Sequence, residues 1–391
     1  MRIGLDYRPA LINREGIGRV TRELVRALCA LEGEHELRLF GWSLAATKFE
    51  RAELGLDARR ASMTRLRFPS RWIPRLCALT GKGADDLAGG ADVWHHTQPS
   101  SLPVRAAVET ATVFDCIYLR DDGFLSKDAA ASMERSVRDL IERSKLVFVP
   151  SAFVADDVAR SFGVAREKLV VTHLGCDHVL RHVSQEDLAR VRDPRNRAAR
   201  ADASSGPSGS ANEPFLLTVA RVDPRKNHAR ILAAFERLVR AGLPHRWIVA
   251  GPPGHRAEDF EALLARSPAR ERVEWRRDVG ERELAELYAR CALFVFPSLD
   301  EGFGLPPLEA MALGAPVVAS TSGSLPEVLG DAALLVDPRD EDALFHAMER
   351  VLAEPELARD LTRRGLAQSA RFTWRACAEA SLAAWERAVG A

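Results

Sequence analysis

The 391-residue sequence has no excess of either charge: Lys and Arg number 55, and Asp and Glu number 55. With no net field to draw in a polyanion, the balance argues against a nucleic-acid binder. Paired cysteines are missing too. The six cysteines stand at 29, 77, 116, 176, 291 and 377, and none forms a C-x-x-C pair, so neither a zinc site nor a redox couple is indicated. No apolar run reaches the about 18 residues of a spanning helix. The opening "MRIGLDYRPA" carries no apolar stretch of signal-peptide length. The cytoplasm is the expected compartment. Two finer motifs are also absent. "GIGRVT" has Thr21 where a dinucleotide fingerprint needs its third glycine, and no D-x-D pair for a divalent ion stands in a convincing loop position.

What is present is alternation. Short apolar runs ("RIGLD", "ELRLFGW", "DVWHH", "ATVFDCIYL", "KLVFVPS", "KLVVTHL") exchange with helical patterns such as "GRVTRELVRALCALE". The pattern returns with "PFLLTVA", "HRWIVAG", "RVEWR", "ALFVFPS", "APVVAS" and "AALLV". Such alternation predicts α/β architecture with parallel sheets covered on both faces. Residues 183–213, rich in Arg, Ser, Ala and Gly, break it and read as a flexible linker or insertion. The expected plan is an N-terminal domain over 1–182 and a C-terminal domain over 214–371. Both would be Rossmann-like and doubly wound, facing across a cleft at the carboxyl ends of their strands. A last helix, 372–391, is expected to cross back to the N-terminal domain.

Three stretches carry candidate chemistry. "PSLDEGFGLPPLEAMALG" sets Glu301 and Glu309 around a turn with Gly302 and Gly304, before prolines suited to a first helical turn. Carboxylates accept hydrogen bonds from the hydroxyls of a sugar or ribose, and Glu309 would lie near a helix N-terminus. Taken alone, two solvated surface glutamates would look the same. "TVARVDPRKNH" gathers Arg221, Arg225 and Lys226 at a strand exit, suited to a diphosphate or to a plain basic turn. "REGIGRVTREL" puts Gly16 and Gly18 before a helix, where the backbone can approach an anion or simply turn.

Together these stretches, with "VVTHLGCD", "SGSLPEVLGDAALLVDP" and "RFTWRACA", resemble the retaining glycosyltransferases of family 4, which have the GT-B fold. The look is nearest to polysaccharide and O-antigen mannosyltransferases. The resemblance implies a nucleoside-diphosphate sugar (GDP- or UDP-linked) as donor and a glycan or lipid-linked acceptor. It implies that Glu301, with the amides of Gly302, Phe303 and Gly304, holds the donor sugar, and that Glu309 binds the ribose. Arg221 and Lys226 would hold the diphosphate and stabilise the leaving group, making Glu301, Arg221 and Lys226 the catalytic set. Gly16 and Gly18 would let the N-terminal domain approach the phosphates, and the backbone at Val279 would line the base pocket. No cofactor and no metal are expected. Family members often carry His-Asp where this chain has Phe114-Asp115, which leaves Asp115 and, from the preceding strand, His95 as the acceptor-side candidates. The rival reading is a catalytically silent homologue that binds nucleotide sugars. A phosphorylase with a pyridoxal cofactor and an NAD enzyme fit less well.

Residues 58–84 hold seven basic residues (Arg59, Arg60, Arg65, Arg67, Arg71, Arg75, Lys82) and no acidic one. With Trp72, Ile73, Leu76 and Leu79 at helical spacing, they predict a basic amphipathic helix facing the acceptor or an anionic membrane. An ordinary helix packed on the sheet fits the same pattern.

Overall fold

A computed structural model describes residues 1–14, 16–44, 56, 57, 59–69, 72–120, 126–184, 186, 188 and 213–390. The chain divides into two compact units, Met1–Gly175 with Thr373–Ala391, and Cys176–Phe372. Residues 176–182, expected with the N-terminal domain, therefore group with the second unit. Most of the expected linker lies outside the described residues.

The first unit is built on a seven-stranded sheet: β1 (Arg2–Asp6), β2 (Glu36–Trp42), β3 (Ala61–Leu66), β4 (Val93–His96), β5 (Val108–Thr112), β6 (Leu146–Val149) and β7 (Leu169–Val171). Its order is β3-β2-β1-β4-β5-β6-β7, with every pairing parallel. Parallel strands need crossovers, and the helices Ile17–Ala30, Lys127–Arg143 and Ala152–Phe162 are among those that follow the strands. The helix Trp374–Gly390 packs against Ile17–Ala30, β4 and β5. Trp374, Cys377 and Trp385 are buried as its pattern suggested, with Ser381 and Ala384 beside them, while Leu382 is only half-buried.

Two expectations in this unit need correction. "ATVFDCIYL" is not one strand. β5 ends at Thr112, and the rest folds into a short 3₁₀ turn, Ile117–Leu119, whose start is held by Asp115 Oδ1 accepting from the Ile117 amide (3.2 Å). The apolar residues there, Val113, Cys116 and Tyr118, fill the core against the helices from 127 and 152 without extending the sheet. Nor is 58–84 one helix. Its first part is β3, an edge strand paired with β2, and among the described residues the helix Ile73–Thr80 covers only part of it, with Ala84 opening a separate helix, Ala84–Leu87. Ile73 and Cys77 turn into the core, whereas Trp72 is 42% exposed and Leu79 87%. Ala58, Ser70 and Arg71 fall outside the described residues.

The second unit carries six parallel strands, β8 (Phe215–Val219), β9 (Arg246–Ala250), β10 (Val273–Arg276), β11 (Leu293–Phe296), β12 (Val317–Ser320) and β13 (Leu334–Val336). Their order, β10-β9-β8-β11-β12-β13, reverses direction between β8 and β11. Every residue of β11 and β12 is buried, as expected for central strands covered on both faces. Trp247, Phe235 and Phe260 lie in one large apolar core cluster of this unit. The reversal matters for function: loops leaving adjacent strands diverge there, and a crevice opens at their carboxyl ends.

Candidate donor site

The loops after β8 and β11 meet at that reversal. Asp223 accepts from the Lys226 amide (3.3 Å) and closes the short turn Pro224–Lys226. Asn227 follows with φ 63, a left-handed conformation that Asn tolerates better than most residues. Its side-chain amide donates to the carbonyls of Pro297 (3.0 Å) and Pro338 (2.8 Å), fixing the turn to the exits of β11 and β13. The Leu299 amide donates to the Arg225 carbonyl (2.8 Å), and Arg225 Nη1 donates to the Asp300 carbonyl (2.7 Å). Two loops distant in sequence are thereby stitched together.

Within this frame Lys226 Nζ makes a short ion pair with Glu301 Oε1, and Arg225 Nη1 lies 3.2 Å from the same oxygen. Lys226 also sits over the Phe296 ring, 5.0 Å from its centroid. Glu301 is only 7% exposed. Burial alone would raise its carboxyl, but the charges of Lys226 and Arg225 outweigh that and hold it below its ordinary value. For Lys226 the balance runs downward, from burial first and then Arg225's like charge, with Glu301 opposing. The cluster thus holds two cations against one firmly ionised carboxylate. It can accept hydroxyls at Glu301 and offer a positive charge to an anion.

Arg221, expected beside Lys226, is not in this cluster. It is exposed, and its stem passes over Gly254, where an added Cβ would come within 2.6 Å of Arg221 Cγ. Arg225 takes the place at Glu301 instead. Spacing could not decide which of three cations in one turn points inward.

The backbone around Glu301 is braced from the next loop. Ser324 donates to the Glu301 carbonyl through both its amide (2.9 Å) and its hydroxyl (3.1 Å). Gly323 has φ +63, and a Cβ there would come within 2.3 Å of the Glu301 carbonyl oxygen and 2.7 Å of its nitrogen. Only glycine fits. Gly304, at φ 88, starts the helix Leu305–Ala312; Phe303 is buried edge-on against Phe372, and Gly302 is half-buried.

Glu309 lies in the second turn of that helix, deeper than its expected place near the N-terminus, and is 1% exposed. Tyr288 donates its hydroxyl to Oε2 (2.7 Å), and His178 Nε2 lies 3.0 Å from Oε1. Neither partner was singled out from the sequence. Val279 is half-buried between β10 and the helix Glu281–Arg290, which carries Tyr288.

The remaining candidates belong to the first unit. Gly16 is the cap of the helix Ile17–Ala30 at φ 53, with nothing within 4 Å of an added Cβ, so conformation and not crowding calls for glycine. Gly18 is buried against the carbonyls of Pro9 and Asn13. Arg22 donates to the carbonyls of Ala10 (3.0 Å), Asn13 (2.6 Å) and Arg14, fixing the loop ahead of both glycines. Asp115 caps its turn as described. His95, expected to meet a sugar, is buried with both ring nitrogens taken, by the hydroxyls of Thr110 (3.0 Å) and Thr112 (2.9 Å). It borders a small pocket with Thr112, Phe114 and Phe148, yet has no nitrogen left to offer.

Burial pushes His95 and His228 down to about 3, and His245 down to about 4. At His228 the Lys226 charge adds to burial, and at His245 that of Arg272 does. Unfolded, each returns to about 6.5, so below that pH the unfolded chain binds protons that the folded chain refuses. Stability should be full above about pH 6.5 and fall as pH drops, with a slope approaching about 1.4 kcal/mol per pH unit for each histidine. Denaturant titrations at pH 7.5, 6 and 5 test this; equal stabilities across that range would contradict it.

Comparison with known proteins agrees with this geometry. Residues 15–175 match the family model "Glycosyl transferase 4-like domain", and residues 202–368 match "Glycosyl transferases group 1". The O-antigen chain mannosyltransferase B of Escherichia coli is 29% identical over 394 aligned positions, covering 99% of this chain and all of that one. Among solved structures, sucrose-phosphate synthase of Thermosynechococcus elongatus aligns with a TM-score of 0.73 at 20% identity, over 99% of this chain and 98% of that one. HepE of Anabaena, in complex with UDP and glucose, aligns at 0.72 and 16% identity, over 98% of this chain and 99% of that one. Two parallel sheets of Rossmann order, a cation–carboxylate cluster at the second sheet's reversal and these matches carry one conclusion: the chain belongs to the family 4 (group 1) glycosyltransferases and has the GT-B fold.

Proposed function

We propose that this chain transfers a sugar, mannose as first choice, with retention at the anomeric carbon. The donor would be a nucleoside-diphosphate sugar, and the acceptor a glycan or lipid-linked glycan of a surface polysaccharide. The observation that carries the reading is Lys226 paired with Glu301 at the β8/β11 reversal. The mannose choice and the polysaccharide acceptor rest on the relative named above, and a diphosphate donor is favoured by the UDP complex of HepE.

In this reading Glu301 accepts hydrogen bonds from donor-sugar hydroxyls. Held by Lys226 and Arg225, it is a poor nucleophile and a good acceptor. The bond from the anomeric carbon to the diphosphate breaks as the acceptor oxygen bonds on the same face, its hydroxyl proton passing to the departing phosphate oxygen. Charge then grows on the departing phosphate, where Lys226, Arg225 and the exposed Arg221 can meet it. Glu309 serves the ribose and the backbone at Val279 the base. The test is direct: incubate purified protein with GDP- and UDP-sugars and acceptor, identify the sugar transferred, and read the product's anomeric configuration by NMR. Nucleotide sugar bound but neither transferred nor hydrolysed would indicate a silent homologue.

Because the diphosphate is met by side-chain cations, transfer should survive excess EDTA. Activity abolished by chelation and restored by Mg²⁺ or Mn²⁺ would contradict this.

A lipid-linked acceptor would lie at a membrane. Among the described residues no helix is long and apolar enough to cross one. In and around the helix Ile73–Thr80, Phe68, Trp72, Leu79, Arg67, Arg75 and Lys82 are exposed, and Arg75 stacks 4.7 Å from the Trp72 ring centroid. Exposed apolar and cationic groups close together in sequence suit an anionic lipid interface, where each basic residue adds about 1 kcal/mol of attraction. Co-sedimentation with vesicles should rise with anionic lipid and fall in the Arg67→Gln, Arg75→Gln double variant. Binding indifferent to lipid charge would leave this surface without a lipid role.

A further inference from the structure

We infer that His178 and Tyr288 are positioning residues of the donor site, which orient the Glu309 carboxylate for the hydroxyls of the nucleotide ribose. The inference rests on the proposed ribose role of Glu309 and goes beyond it by assigning two residues of other elements.

The two partners approach Glu309 from different directions and occupy different oxygens, Tyr288 at Oε2 and His178 at Oε1. A carboxylate contacted at both oxygens can no longer rotate freely, so its plane is set. Each partner is itself held. Tyr288 is fully buried on the helix Glu281–Arg290, with its ring 5.5 Å from that of Phe294 on β11. His178 is 1% exposed in the 3₁₀ segment Asp177–His182, which packs on both helices, Glu281–Arg290 and Leu305–Ala312. A second contact in that segment, His182 Nε2 to Glu281 Oε2 at 3.6 Å, ties it to the same helix.

A buried carboxylate needs partners for stability alone, so the test must separate orientation from folding. Binding of GDP, UDP and their 2′-deoxy and 3′-deoxy forms would be measured by calorimetry on the full chain, and thermal melting would be followed in parallel. Wild type should favour the ribonucleotide it binds over both deoxy forms. Tyr288→Phe, which removes one oxygen, and His178→Leu should each weaken ribonucleotide binding about tenfold. Deoxy binding should stay put, so discrimination collapses. His178→Gln keeps an N–H near the Nε2 position and should restore it. Should His178→Leu fail to fold, Tyr288→Phe decides. If Glu309→Gln loses discrimination while Tyr288→Phe and His178→Leu keep it, the positioning role is overturned and the ribose reading stands. If Glu309→Gln itself keeps discrimination, the ribose reading fails and takes this inference with it.

Discussion

Lys226→Ala should lower turnover by roughly 10²–10³ at saturating donor while the protein stays folded, the scale seen when one donor to a developing charge is removed. The lysine is the cation nearest Glu301, on a turn fixed by Asp223 and Asn227 whose bonds the substitution leaves intact. Glu301→Ala should lose transfer on the same scale, for a different reason: sugar hydroxyls lose their acceptor and two cations lose their counter-charge. Because the pair acts as a unit, the double variant should fall well short of the product of the two single losses. Near-wild-type turnover in either single variant would remove this cluster from the reaction.

Trp385→Ala should destabilise the first unit by about 3–5 kcal/mol, the usual loss for a fully buried Trp. The indole is wholly buried, donates from Nε1 to Thr110 Oγ1 (3.2 Å) and lies 5.2 Å from the His95 ring and 5.7 Å from Phe148. Truncation opens a cavity and takes away that donor as well. Trp385→Phe should recover much of the loss. Urea unfolding followed by near-ultraviolet circular dichroism would show it, and an unchanged midpoint for Trp385→Ala would refute this account of the packing.

Much of this could be read before any coordinates. "RIGLD" and "ELRLFGW" are strands with the limits their apolar runs suggest, because central parallel strands are buried on both faces and leave little room for polar residues. β3 escaped notice because it lies at the sheet edge, where the partly exposed Met63, Thr64 and Arg65 blur the period-two pattern. "ATVFDCIYL" misled for the opposite reason: a buried turn can be as apolar as a strand. At the site, the glutamates and Lys226 stood out because each motif lies within one short stretch of sequence. Arg225's place at Glu301 depends on how one turn closes, and Asn227's on carbonyls that arrive from two other strands. His178 reaches Glu309 only through tertiary packing. The one signal near it is that it follows "VVTHLGCD" directly.

The helix Trp374–Gly390 also fixes an order of events during synthesis. The second unit is one uninterrupted stretch, Cys176–Phe372, whereas the first needs residues from Thr373 onward. On the ribosome the usual rule that the earlier domain folds first is therefore inverted for completion. The first unit emerges early but waits, with the faces of Thr110 and Phe148 that will receive Trp385 still uncovered. The second unit needs no residue beyond Phe372, so its sequence is complete before the last helix has been made. For that interval the nascent chain shows apolar surface at the half made first, and that half is where a chaperone would be expected to bind.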